Sequence, residues 1–94
     1  MSKPLHSPEY AYFLEELRAA RERVEMSQID LAEHIGEHQT FVSKVERGIR
    51  RIDIVELKRW TDALGVGLVA FSEILDERLE RNRTLTSIRQ HRKK

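Results

Sequence analysis

Gly36 and Gly48 restrict this chain more than any other residues, because from Ser27 to Gly48 they leave room only for two short helices. Ser27-Gln28-Ile29-Asp30 has the form of a capping box with aspartate in place of glutamate, which opens a helix by engaging backbone N–H groups that the first turn leaves unpaired. That helix carries Leu31, Ala32 and Ile35 inward and stops at Gly36, since glycine accepts the left-handed conformation of a helix end. After a short turn a second helix, from His38 or Gln39 to about Arg47, directs Val42 and Val45 inward and stops at Gly48. Two short helices joined by a glycine-containing turn make a helix-turn-helix.

The flanking sequence predicts three more helices and no strand. Ser7-Pro8-Glu9 reads as a helix start: serine caps, proline suits the first helical position, and a carboxylate favours the positive end of the helix dipole. The helix it opens runs to about Val24, with Phe13, Leu14, Leu17, Ala20 and Val24 as its apolar stripe. Beyond the loop Ile49-Arg50-Arg51-Ile52, Asp53 and Glu56 form a second capping box, and the helix behind it is expected to bury Ile54, Leu57, Trp60 and Leu64 before Gly65. Trp60, three residues from Leu57 and four from Leu64, reads as core. A fifth helix from about Leu68 carries Phe71, Ile74, Leu75 and Leu79. The fold expected is all-α: a flexible arm over residues 1–7, one domain over 8–80, and a flexible basic tail over 81–94.

Composition narrows the function. Ninety-four residues make one modest core and no cleft between lobes. With no cysteine, disulfides, thiolate metal sites and thiol nucleophiles fall away, and a reducing, cytoplasmic setting is expected. The longest apolar run, Val66 to Phe71, is far short of the roughly 20 residues that cross a bilayer, so neither a membrane span nor a secretory signal is expected. The net charge of +1 hides an uneven distribution. All sixteen acidic residues precede residue 81, alongside eleven Lys and Arg, whereas the last fourteen residues hold six bases and no acid. Such a tail suits a polyanion, and it equally suits a solvated chain end. Within the body, Lys44, Arg47, Arg50, Arg51, Lys58 and Arg59 outnumber their acidic neighbours and mark the candidate anion-facing surface.

Catalysis finds little footing. His34 and His38 have the spacing of a helical metal pair, but Gly36 breaks the helix between them, and no metal or cofactor is expected. Glu15, Glu16, Glu22 and Glu25 read as a scattered, solvated face without a pocket to raise a pKa. No phosphate-binding glycine loop or nucleophile elbow is present, and an enzyme is not expected.

Taken in order, Leu17-Arg18-Ala19-Ala20-Arg21, Ser27-Gln28, Leu31-Ala32, Ile35-Gly36, Val42-Ser43, Val45-Glu46, Gly48 and Ala63-Leu64-Gly65-Val66 resemble the lambda-repressor-like, or XRE-type, helix-turn-helix family. The resemblance covers about Leu14 to Val66. It departs at Ile52, where the family often has proline, and at Phe41, on a site often small or polar. It implies a recognition helix in the major groove, where each base pair shows a distinct set of donors, acceptors and methyl groups. Gln39, Thr40, Ser43 and Lys44 are then the groove-facing residues. Glutamine pairs bidentately with adenine, a threonine methyl suits thymine, and lysine reaches guanine or a phosphate. The resemblance further implies that Gln28 holds a phosphate and braces Gln39, and that Arg21 and Glu46 form a partly buried ion pair. Arg47, Arg50 and Arg51 are candidate phosphate contacts, while Phe41 has three options: a thymine methyl, the sugar-phosphate edge, or the protein itself.

Members of that family commonly dimerise on two half-sites about one helical turn apart. Phe71, Leu75 and Leu79 are the candidate dimer interface, with covering of the monomer's own core as the alternative. The expected partner is a double-stranded DNA operator and the expected role transcriptional regulation, by default repression. Two alternatives stand beside it: the antitoxin of a toxin-antitoxin pair that also binds DNA, and a protein-interaction module that uses this fold without DNA; a toxin or co-regulator is a possible protein partner.

Overall fold

The computed structural model of the protein describes residues 7–92, with side chains over 7–83. Five helices follow in order: α1 Pro8–Arg23, α2 Gln28–Ile35, α3 Gln39–Glu46, α4 Ile54–Ala63 and α5 Leu68–Arg92, with no strand among the described residues. Their starts are set locally. Ser7 Oγ accepts from the Tyr10 N–H at 3.2 Å. Ser27 and Asp30 exchange bonds of 3.0 and 3.3 Å, and Asp53 and Glu56 of 2.7 and 3.0 Å, so both capping boxes close reciprocally. Each such cap contributes about 1 kcal/mol. Gly36, at φ 71°, ends α2 in the left-handed region where an L side chain would be strained.

The five helices close around Leu17, Leu31, Val42, Val45, Trp60 and Phe71, each no more than 1% exposed. Side chains of this size stabilise by about 1.5–3 kcal/mol apiece when buried. Phe13 meets Phe71 edge-on with ring centroids 6.0 Å apart, which ties α5 to α1. Thr61 is fully buried as well, a position the apolar stripe of α4 does not suggest; its hydroxyl donates to the Leu57 carbonyl at 3.0 Å and so brings no unpaired polar group into the core.

Two core expectations are corrected. Val24 is exposed: α1 ends at Arg23, Glu25 turns the chain at φ 56°, and Met26 packs against the core instead. Ile54, the first residue of α4, is 63% exposed, while Ile52 from the preceding loop packs against the core. For Phe71 the second of its two options holds: it lies in the core of its own chain, with Leu75 packed against that core.

The expected tail begins at residue 81, but helical backbone continues without a break through Arg92. Where α5 crosses α1, Arg78 reaches Glu16 at 2.7 Å and Glu15 at 2.6 Å and lies 4.7 Å above the Tyr12 ring. Hydrogen bonds to those two carboxylates raise the Arg78 pKa above its ordinary value. Glu15 and Glu16 are therefore the α1 half of a clamp on α5 rather than part of a scattered solvated face.

Candidate nucleic-acid interface

The site is built from the starts of α2 and α3. Val42 and Val45 are fully buried, so the opposite face of α3 turns outward with Gln39, Thr40 and Lys44 exposed and Ser43 half-buried. His38, the residue before α3, makes no side-chain cap, which leaves the first backbone donors of α3 without a side-chain partner.

Behind this face lies a chain of polar side chains that begins in the core. The Glu46 side chain is fully buried at the end of α3. Arg21 from α1 grips both of its oxygens, Nε to Oε2 at 2.7 Å and Nη2 to Oε1 at 3.0 Å, and donates its remaining nitrogen to the Met26 carbonyl at 2.8 Å. Its bond to Glu46 raises the Arg21 pKa against the opposing effect of burial. Arg18 adds a third cationic contact at 3.7 Å. Gln28, first residue of α2, donates from Nε2 to Glu46 Oε1 at 2.9 Å, and its own Oε1 accepts from Gln39 Nε2 at 2.8 Å. The sequence offered no sign of the Gln28–Glu46 contact, because eighteen residues and a turn of the chain separate the two.

The expected phosphate contacts fall into two groups. Lys44 on α3 and Arg47 at its end are exposed, and Arg47 donates a long 3.3 Å bond to the Ser43 carbonyl. Arg50 is held by the protein: it forms a two-pronged pair with Glu56 at 3.0 and 2.9 Å and lies 4.6 Å above the Phe41 ring. Arg51 stacks 4.5 Å above Tyr10. Phe41 takes the third of its options and folds back, half-buried, with its ring 6.1 Å from that of Trp60. Phe41, Arg50 and Glu56 thus form a stack that fixes the loop after α3 against the head of α4.

Glu56 also closes the α4 capping box, and the Arg50 guanidinium first, then the Asp53 backbone, hold its carboxyl below the usual carboxylate range. A carboxyl whose folded-state pKa is depressed stabilises the fold above its unfolded value, and that contribution disappears as the pH falls through the folded value. Glu56→Gln is therefore expected to flatten the acid limb of melting temperature against pH below about 4.5, the ordinary value for glutamate. Parallel thermal melts of the two proteins check this; identical acid limbs would remove Glu56 from the account.

His34 Nδ1 lies 2.9 Å from the Asp30 carbonyl, within its own helix. Among the described residues no group of three or more His, Cys, Asp or Glu could hold a metal ion, and no helix is long and apolar enough to cross a membrane.

Comparison with known proteins fits this geometry. A family model described as helix-turn-helix matches residues 17–71. No curated protein matches. Among solved structures, a tyrosine-to-phenylalanine mutant of the restriction-modification controller protein C.Esp1396I is similar at 28% identity and TM-score 0.72, over 79% of this chain and 94% of that one. With more than half of its length matched by the family model, the chain belongs to the XRE-type, lambda-repressor-like helix-turn-helix family of DNA-binding transcription regulators.

Proposed function

We propose that this chain binds a specific operator in double-stranded DNA as a homodimer, in the cytoplasm, and represses transcription by blocking access of RNA polymerase. The observation that carries the reading is the joint outward projection of Gln39, Thr40 and Lys44 from a helix whose other face is locked into the core. Likeness to a restriction-modification controller protein supports a regulatory output. Gln28 and Arg47 flank the base-reading residues as phosphate contacts, with Ser43 at the edge of the groove. Arg50 and Arg51 reach phosphate only by leaving Glu56 or Tyr10, so they contribute less.

One recognition helix reads too few base pairs for a unique operator, and a second copy supplies the other half-site. With Phe71 withdrawn into the core, the contact is assigned to Leu75 and Leu79. They line a groove of about 360 Å³ together with Tyr10 and Ile54. Footprinting across a salt series tests the whole reading. Two protected half-sites about 10 base pairs apart are expected, with affinity falling about 10³-fold or more between 50 and 200 mM salt if six or more phosphates are engaged. Leu79→Glu is expected to yield a folded monomer by light scattering that protects DNA weakly. An unprotected, salt-indifferent duplex would sink the DNA reading; a wild-type monomer at every concentration would retire the dimer.

A further inference from the structure

Arg50 is tied to α3 by its backbone and to an acid of α4 by its side chain. Its N–H and that of Ile49 both donate to the Lys44 carbonyl, at 3.2 and 2.9 Å. Its guanidinium lies 4.6 Å above the ring of Phe41, which follows Thr40 on the same helix. A cation is therefore held at the flank of the face that carries Gln39, Thr40 and Lys44. Glu56, in the first turn of α4, takes one N–H from each of its terminal nitrogens, at 3.0 and 2.9 Å, and the Arg51 carbonyl takes a third at 2.6 Å. Three of the five guanidinium N–H groups are thereby committed. Asp53 and Glu37 add attraction through space. A phosphate that approaches meets an arginine already neutralised by its own chain, and a pair of zero net charge displaces no counterion from a duplex.

We propose that Glu56 is a positioning residue that restrains DNA affinity: its carboxylate holds the Arg50 guanidinium beside α3 in a neutral pair and withholds a phosphate contact that the place of Arg50 would otherwise allow. The proposal rests on the DNA reading argued above. The pair lies at the surface, its side chains 45% and 20% exposed, and exposed pairs are weak enough for a phosphate to compete. Transfer of Arg50 to phosphate then strips Glu56 of its partner, so what is gained on the duplex is offset by what is lost at α4. Phosphate contacts carry no sequence information, and the restraint therefore lowers affinity for operator and random duplex alike. It limits retention on random DNA by charge and leaves the choice among sequences to α3.

Glu56→Gln separates the restraint from the fold. The amide oxygen still accepts from the Asp53 N–H, and glutamine serves at this position of a capping box, so α4 keeps its start while Arg50 loses the charge that grips it. The full chain is titrated with its footprinted operator and with random duplex across a salt series, beside a thermal melt of each variant. Glu56→Gln is expected to bind both duplexes about tenfold more tightly at about 100 mM salt, with a slope about one unit steeper for each chain bound. The ratio between the two duplexes is expected to stay within about twofold of its value in unaltered protein. Loss of any acid near DNA tightens binding somewhat, so the same substitution is made beside Arg50→Ala, where a gain below about threefold is expected. An equal gain in both backgrounds, or none in either, overturns the restraint and leaves the DNA reading standing. Unaltered protein that binds neither duplex at any salt concentration sinks both.

Discussion

Glu46→Ala is expected to lower the melting temperature by about 12 °C or more. Removal of one partner of a buried ion pair costs about 3–5 kcal/mol. Each kcal/mol moves the midpoint of a domain this size by about 4–8 °C. The cost arises mainly from what remains. Arg21 would stay at the α1–α3 contact, with two of its donors stripped of the carboxylate that 2.7 and 3.0 Å bonds now supply. Gln28 is half-buried and can turn to water, so it adds little to the loss. Calorimetry or circular dichroism melts measure the shift, and a change of only a degree or two would show the pair to be incidental. The double variant Arg21→Met with Glu46→Leu separates charge from packing, since an apolar pair of similar volume usually matches or exceeds the stability of the ion pair it replaces. It is expected to recover most of the stability.

Local chemistry explains which parts of this molecule could be read in advance. Ser27 with Asp30, and Asp53 with Glu56, stand three residues apart, so their bonds depend on nothing beyond one turn of helix. Gly36 is similar, because only a left-handed residue ends α2 and lets α3 start where it does. Val24 and Ile54 fit the helical period of their segments and still face water, since periodicity locates a stripe but not the last turn on which the stripe meets a neighbour. Phe71 shows a different limit. Apolar spacing on α5 gives the same signal whether the face covers its own domain or another chain, and only the packing against Phe13 distinguishes them. Long-range polar partners were out of reach altogether. Nothing near Arg78 points to Glu15 and Glu16 across more than sixty residues, and nothing near Arg50 singles out the pairing with Glu56 that, with Phe41, holds the loop.

Replacing Gln39, Thr40 and Lys44 together by alanine is expected to erase sequence-selective DNA binding while the fold persists. All three are exposed, alanine is the best helix former, and exposed substitutions of this kind usually change stability by less than about 0.5 kcal/mol each. Among the described residues, the bond from Gln39 to Gln28 is the one side-chain hydrogen bond the three make, and it lies at the surface. Specific operator binding typically exceeds non-specific binding by about 10³-fold or more, and that margin is what the triple variant should lose. Residual binding should remain. On the proposed reading Gln28 and Arg47 would keep their phosphate contacts, so the salt slope should fall by about one unit, the share of a single lysine, rather than vanish. Competition between operator and random duplex, run at two salt concentrations beside a thermal melt, separates the terms. Selectivity retained by a folded triple variant would mean that the sequence is read elsewhere on the chain, or through the shape of the DNA, and that the outward face of α3 is only a solvated surface.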